Sequence, residues 1–457
     1  MPLAAIFSEN LPRRLGSHVY ELRRLTRPAT RSAWEAYRRG LVERERNLLR
    51  GDADRQQWIL ETLRLAARRA AQLPFWRDRF SEAGLQWDEA FSFADFSLVP
   101  PLERDQVANA ADELLLPQVT ATLRRKMATG GSSGTPTVTW TGPEERGWGE
   151  SAAEFFETRI GVRRGDRIAY LWGHHLDPVT RASTRERLED WLFNRRWYDC
   201  FRLSPEVLAG YHADLQEYCP RVMICYASAL ASLAEAIRDE GLEQPVYPTF
   251  GFITGAEKLY PAQRALIETV FAKPVYERYG GRDIGMIGCQ LSPPSSLAYD
   301  VDWSNVYVER ETPEAESSML ITKLHADAMP LLRYRTGDIG RFPADAPPHG
   351  PITVLQEVVG REIQRIWRTD GTWMHGTVVP HLLKDFALHE YQLHQRESYE
   401  TELLLVPRAG FDAAQESEIR RALEMNLPGI AFNIRHVDAI RRSAAGKWLP
   451  VVSDVRR

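Results

Sequence analysis

Short apolar runs and amphipathic stretches alternate through the middle of the chain. A continuous apolar run predicts a buried strand, and apolar residues at every third or fourth position predict a helix. By this rule the strands are 167–172, 221–225, 249–254 and 275–279, and the helices are 229–239 and 261–271. The alternation of the two predicts an α/β core with a largely parallel sheet.

Both ends of the chain depart from this alternation. Apolar residues spaced for an amphipathic face predict helix over 32–72, and Pro74 ends it, so residues 1–120 form a mostly helical lead-in. Two antiparallel strands are predicted within 305–324, and a further strand at 352–358.

After residue 360 the pattern becomes that of a small α+β unit. It predicts a hairpin at 363–373, a helix near 377–386, strands at 390–396 and 401–406, a helix at 413–425 and a strand at 432–437. We therefore predict a large N-terminal domain with mixed α/β sheets, residues 1–359, and a small mobile α+β domain, residues 360–457.

Composition and charge exclude several classes of protein. The chain has 457 residues, 44% of them hydrophobic and 26% charged, which is enough apolar mass for two or more compact units. Its formal net charge of -4 gives no bulk attraction to nucleic acid or anionic lipid. No stretch approaches about 18 uninterrupted apolar residues, and no secretory signal pattern is present. We expect a cytoplasmic protein that binds neither nucleic acid nor membrane.

Cysteine and lysine usage narrows the possible chemistry. The four cysteines form no C-x-x-C pair and have no nearby H-x-x-x-H, so neither a zinc site nor a disulfide framework is predicted. Only six of the 58 basic residues Lys and Arg are lysines. A lysine in a motif is therefore more informative here than in most proteins, because arginine supplies the ordinary surface charge.

The segment 129–136, TGGSSGTP, has the most unusual composition in the chain. Its glycines let the backbone fold tightly, and the hydroxyls of Thr129, Ser132, Ser133 and Thr135 can donate hydrogen bonds to phosphate oxygens. It lacks the Gly-Lys-Ser ending of a Walker loop, which excludes a P-loop NTPase. Taken alone, the segment also fits a flexible connector.

Two later segments favour the nucleotide-binding interpretation. In RYRTGD, residues 333–338, a carboxylate follows a predicted tight turn, where Asp338 can accept two hydrogen bonds from a ribose diol. Gly360-Arg361 follows at the point where the rhythm of elements changes. Each segment alone fits an ordinary turn, and it is their order that makes the combination specific.

This order resembles the acyl-adenylate-forming (ANL) superfamily, and within it the branch of phenylacetate-CoA ligases and capsule-biosynthesis relatives. The resemblance runs from QLPFWRDRF, near Leu73, to the C-terminus. Its motifs are the phosphate loop, an adenine segment (TGAE, 254–257), an aromatic-Gly segment (YGGRD, 279–283), RYRTGD, the hinge Arg361, and SAAGK (443–447) followed by PVVS.

The resemblance implies residue roles and cofactors. ATP would be bound together with Mg²⁺, for which Asp283 is the implied ligand. Lys447 would neutralise charge at the α-phosphate, and Arg361 would assist near the ribose. The implied nucleotide-binding residues are Thr129, Gly131, Ser132, Ser133, Gly134, Thr135, Gly255, Ala256, Glu257, Tyr279, Gly280 and Asp338.

The chain departs from the family pattern in three places. Asp283 stands where the family usually has glutamate, the phosphate loop lacks the common lysine after Pro136, and no hinge aspartate follows Arg361. The altered hinge makes domain rotation between two half-reactions a weaker expectation than adenylation itself.

The pocket for the acid is predicted at the ends of two strands. Trp172, His174 and His175 follow one strand, and Tyr226 and Ser228 follow the next, at carboxyl ends where α/β sheets bind ligands. The two histidines fit either surface loop residues or a pocket wall that donates to a carboxylate.

Together these features predict an AMP-forming acid–thiol ligase. A small carboxylic acid would be activated as acyl-AMP with release of pyrophosphate, and the acyl group would pass to a thiol, most simply that of CoA. The alternatives are transfer to an amine, a carrier-protein thiol or another small nucleophile, and a non-catalytic ATP-binding relative. A monomer or homodimer is expected.

Overall fold

The computed structural model describes most of the chain from residue 28 onwards. The described ranges are 28–128, 137–163, 165–172, 190–191, 193–200, 203–293, 295–361, 365–370, 373–376, 378–383, 386–442 and 448–455.

Helices fill the N-terminal part and are interspersed with strands after it. Those described are α1 (Pro28–Asn47), α2 (Asp52–Ala70), α3 (Pro74–Glu82), α4 (Phe93–Phe96), α5 (Arg104–Asn109), α6 (Pro143–Arg159), α7 (Pro205–Tyr218), α8 (Ala227–Asp239), α9 (Pro261–Phe271), α10 (Val378–Leu383) and α11 (Ala413–Asn426). Proline is the first residue of α3, α6, α7 and α9, where its missing N–H costs no hydrogen bond. No described helix has the length and apolarity needed to cross a membrane.

The helical stretch predicted over 32–72 is divided into two helices. Gly51 is extended, with φ -69° and ψ 169°, and α2 begins directly after it. Glycine disfavours the helix interior, and the acidic residues Asp52 and Asp54 favour a new helix start because they face the positive end of the helix dipole. The buried face of α2 consists of Ile59, Leu63, Ala66, Ala67 and Ala70.

Strands form one large sheet and several small ones. Those described are β1 (Arg125–Ala128), β2 (Val138–Thr141), β3 (Ile168–Trp172), β4 (Arg195–Asp199), β5 (Val222–Tyr226), β6 (Gly251–Gly255), β7 (Val275–Gly281), β8 (Gly285–Gln290), β9 (Tyr299–Val301), β10 (Val306–Arg310), β11 (Glu316–Lys323), β12 (Tyr334–Arg341), β13 (Val354–Leu355), β14 (Glu357–Arg361), β15 (Arg365–Trp367), β16 (Trp373–His375), β17 (Leu388–Gln395), β18 (Thr401–Pro407), β19 (Phe432–His436) and β20 (Val451–Ser453).

The large sheet confirms the α/β prediction. Its strand order is β13-β9-β8-β7-β6-β5-β3-β4. The strands from β4 to β7 run parallel, whereas β7, β8, β9 and β13 pair antiparallel, so the sheet is mixed. Every residue of β5 and β6 is buried, as expected for central parallel strands covered on both faces.

A second sheet, β10-β11-β12-β14, is antiparallel throughout. The single strand predicted at 352–358 is wrong, because the chain changes sheets at Gln356. Residues before it, β13, pair with β9 of the large sheet, and residues after it, β14, pair with β12. Partner strands distant in sequence determine this division, which a local apolar pattern does not contain.

The C-terminal unit is α+β, as predicted. Its sheet has the order β19-β18-β17-β20, in which β17 and β18 are antiparallel and the outer strands pair parallel to them. Leu393, Leu403 and Ile419 are among the residues of its own buried core. An ion pair joins the C-terminal unit to helix α8, because Nη2 of Arg408 lies 2.7 Å from Oε2 of Glu235.

Candidate active site

A cavity of about 460 Å³ lies at the carboxyl ends of the central parallel strands. Trp172 ends β3, Tyr226 ends β5 and Ala256 follows β6, and all three line the cavity. The carboxyl ends of parallel strands meet at one edge of a sheet, where α/β proteins bind ligands. The rings of Trp172 and Tyr226 meet edge to face with centroids 4.6 Å apart. The fold therefore brings together residues that the sequence analysis predicted from separate segments.

Tyr279 and Asp338, which are 59 positions apart, also meet at this cavity. The Tyr279 hydroxyl donates a hydrogen bond of 2.9 Å to Oδ2 of Asp338. The predicted tight turn before Asp338 is wrong, because Asp338 lies within β12, where the ladder to β11 shifts register. Gly337 has φ +76° at this bulge, a left-handed conformation that favours glycine. The bulge, rather than a turn, places the carboxylate.

Asp283 lines the cavity but is only 4% exposed. Its Oδ2 accepts a hydrogen bond of 3.0 Å from the Tyr334 hydroxyl and lies 3.5 Å from Nη2 of Arg104. Burial, together with the adjacent Asp283, raises the pKa of Tyr334, so its hydroxyl keeps its proton and stays a donor.

The surroundings of Asp283 limit how it can hold a metal ion. Oδ2 is already occupied, which leaves Oδ1 as the oxygen without a hydrogen bond in the described part of the chain. Among the described residues no group of three His, Cys, Asp or Glu side chains could hold a metal ion. This arrangement fits a magnesium ion whose other ligands are phosphate oxygens and water, which is how Mg²⁺ is commonly bound with nucleotides.

Three other predicted residues lie beside the cavity without lining it, as far as the described residues show. The Glu257 carboxylate accepts a hydrogen bond of 3.1 Å from the backbone N–H of Ser228, the second residue of α8. Gly255 ends β6, with the Arg278 side chain directly above its Cα.

Several predicted site residues lie outside the described residues. These are Thr129, Gly131, Ser132, Ser133, Gly134 and Thr135 of the phosphate loop, His174, His175 and Lys447. The arms on either side of the loop, β1 and β2, pair antiparallel with Ala128 opposite Val138, and Met127 and Thr141 line the cavity. Arg361 stands opposite Asp338 in the β12–β14 ladder, and the role of its side chain stays a prediction.

Comparison with known proteins finds distant relatives of the chain. No protein-family model matches the chain. It is 22% identical over 255 residues to protein CapK of Staphylococcus aureus, covering 54% of each protein, so the match spans about half of CapK. It is 24% identical over 312 residues to phenylacetate-coenzyme A ligase of Pseudomonas putida, covering 64% of this chain and 68% of that one.

The fold has a counterpart among solved structures. A crystal structure of 2-hydroxyisobutyryl-CoA ligase in the postadenylation state, in complex with 2-HIB-AMP, matches with a TM-score of 0.67 at 19% identity, covering 88% of this chain and 90% of that chain. The chain therefore shares the fold of this CoA ligase. The fold expected from the resemblance to the adenylate-forming superfamily, a large α/β unit followed by a small α+β unit, is the one observed.

The motifs of the adenylate-forming superfamily did not reveal a buried ion pair in the same cavity. Nζ of Lys323, at the end of β11, lies 2.6 Å from Oε1 of Glu145 in the first turn of α6, and both residues line the cavity. Burial raises the pKa of Glu145, and Lys323 partly offsets that effect. The rarity of lysine in this chain was the one sequence feature that could have drawn attention to Lys323.

His325 lies next to this pair and is neutral. Its ring stacks on Trp148 with centroids 3.6 Å apart, and its Nε2 lies 2.8 Å from the Ser304 carbonyl oxygen, to which it donates. Burial lowers the pKa of His325 to about 3. This part of the cavity wall therefore holds the Lys323–Glu145 pair with an uncharged imidazole beside it.

Proposed function

We propose that this chain is an AMP-forming acid–thiol ligase, which joins a small carboxylic acid to the thiol of CoA through an acyl-adenylate. The proposal rests on the contact between Tyr279 and Asp338 at the cavity, where two distant motifs form one site beside Ala256. The relatives named phenylacetate-coenzyme A ligase and 2-hydroxyisobutyryl-CoA ligase support this activity.

At the nucleotide end, Asp338 binds the ribose. Its Oδ2 is oriented by the Tyr279 hydroxyl, and the carboxylate accepts hydrogen bonds from the two ribose hydroxyls. The adenine lies between the Ala256 backbone and the Tyr279 ring, with Gly280 beside it. A carboxylate that is already oriented loses little entropy when the diol binds, so the contact favours ATP affinity.

At the reacting end, an oxygen of the acid attacks the α-phosphorus of ATP while the bond to pyrophosphate breaks. Asp283 would hold Mg²⁺, which would supply charge neutralisation on the phosphate oxygens when bound. Donors of the 129–135 loop and Lys447 stabilise the negative charge that spreads over the phosphate oxygens in the transition state. Arg361 assists at the ribose.

In the second step the CoA thiol, losing its proton, attacks the acyl carbon, and AMP leaves. Trp172 and Tyr226 pack against the acyl group, and a role for His174 and His175 beside it stays a prediction from the sequence. A carrier-protein thiol or an amine as acceptor, the cytoplasmic location and the monomeric or homodimeric state stay predictions from the sequence.

Substitution of Asp338 tests the assignment of the nucleotide end. We expect Asp338→Ala to weaken ATP binding by about 1.5 to 3 kcal/mol, or roughly ten- to a hundredfold in Kd, because a hydrogen bond to a charged group is lost. Calorimetric titration of ATP measures this change, Asp338→Asn gives an intermediate value, and Asp345→Ala, an exposed aspartate, is the matched control.

A pyrophosphate-release assay over a panel of acids, run with and without CoA, tests the reaction. Release that leads to an acyl-CoA product supports the proposal. ATP binding without release from any acid would indicate a non-catalytic relative, and release without consumption of CoA would indicate another acceptor. An unchanged ATP affinity in folded Asp338→Ala would show that the ribose assignment is wrong.

A further inference from the structure

Arg278 lines the cavity, and the proposed mechanism assigns it no role. It lies in the middle of β7, and its guanidinium carbon is 5.3 Å from the ring centroid of Trp172. Both residues line the cavity, at the end where Tyr226 closes the aromatic wall. The cation therefore faces the part of the cavity that the proposed function assigns to the acid's carbon skeleton.

The route of the Arg278 side chain depends on Gly255. Strands β7 and β3 are separated by β6 and β5, so three strand spacings, about 14 Å, lie between their backbones. The arginine crosses above β6 towards the indole. A Cβ added at Gly255 would lie 3.1 Å from Cγ and 3.2 Å from Nε of Arg278, closer than most real contacts. The absence of a side chain at Gly255 leaves the space through which Arg278 reaches Trp172.

Arg278 makes no side-chain hydrogen bond or ion pair with the described residues of the chain. Two other cations of the cavity wall are paired: Arg104 with Asp283, and Lys323 with Glu145. The contact of Arg278 with Trp172 uses its charge but none of its N–H donors. Arg278 also lies close enough to Glu157 to lower the pKa of that carboxyl, while burial, the larger effect, raises it.

We propose that Arg278 binds a second carboxylate of the acid, so that the substrate is a dicarboxylic acid activated at its other end. A guanidinium presents its donors as a planar fork that matches a carboxylate, which explains why an arginine is held here with no hydrogen bond from its side chain to the described residues. Trp172 and Tyr226 pack against the carbon skeleton between the two carboxylates. This assignment of substrate class rests on the proposed function.

The test compares each dicarboxylate with the monocarboxylate of equal length. The probes are the α,ω-dicarboxylates and the straight-chain monocarboxylates of four to eight carbons, together with benzene-1,4-dicarboxylate and benzoate. Pyrophosphate release gives kcat/KM, and calorimetry in the presence of AMP gives each Kd without any need for turnover. The variants are Arg278→Met, which keeps the length of the side chain, and Arg278→Lys, which keeps the charge. Arg421→Met, an exposed arginine on α11, is the control.

We expect at least one dicarboxylate to be preferred over its monocarboxylate by about ten- to a hundredfold, the range for a charge-assisted hydrogen bond. Arg278→Met removes this preference, Arg278→Lys keeps part of it, and Arg421→Met keeps all of it. Three results would overturn the inference. These are a preference for monocarboxylates in the wild type, a preference for dicarboxylates that survives Arg278→Met, and an equal loss of both classes of acid in that variant.

The two proposals fail in different ways. If dicarboxylates bind with dependence on Arg278 but no acid releases pyrophosphate, the inference about Arg278 is supported and the proposed ligase activity is wrong. If monocarboxylates are converted to thioesters and dicarboxylates neither bind nor react, the ligase activity stands and the inference about Arg278 is wrong.

Discussion

The ion pair between Lys323 and Glu145 offers a sharp test of the structure, because one substitution leaves a buried charge alone. The side chains of Lys323 and Glu145 are 4% and 14% exposed, and their charged atoms lie 2.6 Å apart. Lys323→Met keeps the length and the apolar stem of the side chain and removes the ammonium. Glu145, in the first turn of α6, then loses its countercharge while its side chain stays largely buried.

The expected cost follows from this burial. Removing one partner of a buried ion pair lowers the free energy of unfolding by about 3 to 5 kcal/mol, because the remaining charge is desolvated without compensation. Oε2 of Glu145 has no hydrogen-bond partner among the residues that the structure describes, so no other polar contact there compensates for the loss. Removing the ammonium of a surface lysine in an ion pair would lower the free energy of unfolding by no more than about 1 kcal/mol.

The loss also depends on pH, with a sign that follows from the pKa of Glu145. Burial raises that pKa above the ordinary value for a glutamate in the folded protein, and Lys323 opposes the shift. Between pH of about 4.5 and the raised pKa, Glu145 of the folded protein therefore holds a proton that the unfolded chain has released. The contribution of Glu145 to the free energy of unfolding falls as pH rises through this range. Without Lys323 the pKa rises further, so the destabilisation of Lys323→Met grows from pH 5 to pH 8.

Urea unfolding at pH 5 and pH 8, followed by tryptophan fluorescence, measures the loss of stability and its dependence on pH. Trp148, which stacks on His325, lies in α6 with Glu145 and so reports from close to the pair. Lys273→Met is the control, since Lys273 is half-buried and its one hydrogen bond among the described residues, to the Thr249 carbonyl, lies at the surface. The double variant Glu145→Gln with Lys323→Met recovers much of the stability, because no charge remains buried. Equal unfolding midpoints for Lys323→Met and Lys273→Met at both pH values would refute the reasoning.

Two further predictions concern the chemistry. Lys447→Ala should lower the kcat of adenylation by about 10² to 10³, because one transition-state donor is lost, and should leave ATP affinity nearly unchanged. Adenylation at the wild-type rate in single-turnover measurements would exclude the role of Lys447. Removal of Mg²⁺ by chelation should abolish pyrophosphate release, which added Mg²⁺ restores, whereas low-dose zinc chelation leaves it intact. Elemental analysis that finds about one equivalent of bound zinc would contradict the interpretation of the cysteines.

Much of the secondary structure could be predicted because it depends on local patterns. Helix α9 has the predicted bounds, Pro261–Phe271, since proline starts it and its apolar spacing is helical. The strands β3, β5 and β6 were also expected to within one or two residues. Continuous apolar runs mark strands such as β5 and β6, because both of their faces are covered.

Pairing between distant segments was harder to predict. The bulge that presents Asp338 depends on the register between β11 and β12, and the division of 352–358 depends on partners in two different sheets. In both cases the local sequence allows more than one conformation. The hydrogen-bond partners of the finished sheets select one of them.

The sequence by itself determined the order of motifs, the α/β class and the presence of a small C-terminal unit, because turn residues and apolar periodicity act over short distances. The tertiary structure alone decided which charges are paired. It placed Asp283 against Arg104 and Tyr334, paired Lys323 with Glu145, and carried Arg278 over Gly255 to Trp172. Such contacts form between side chains on separate strands and helices, so their positions follow from packing rather than from spacing along the chain.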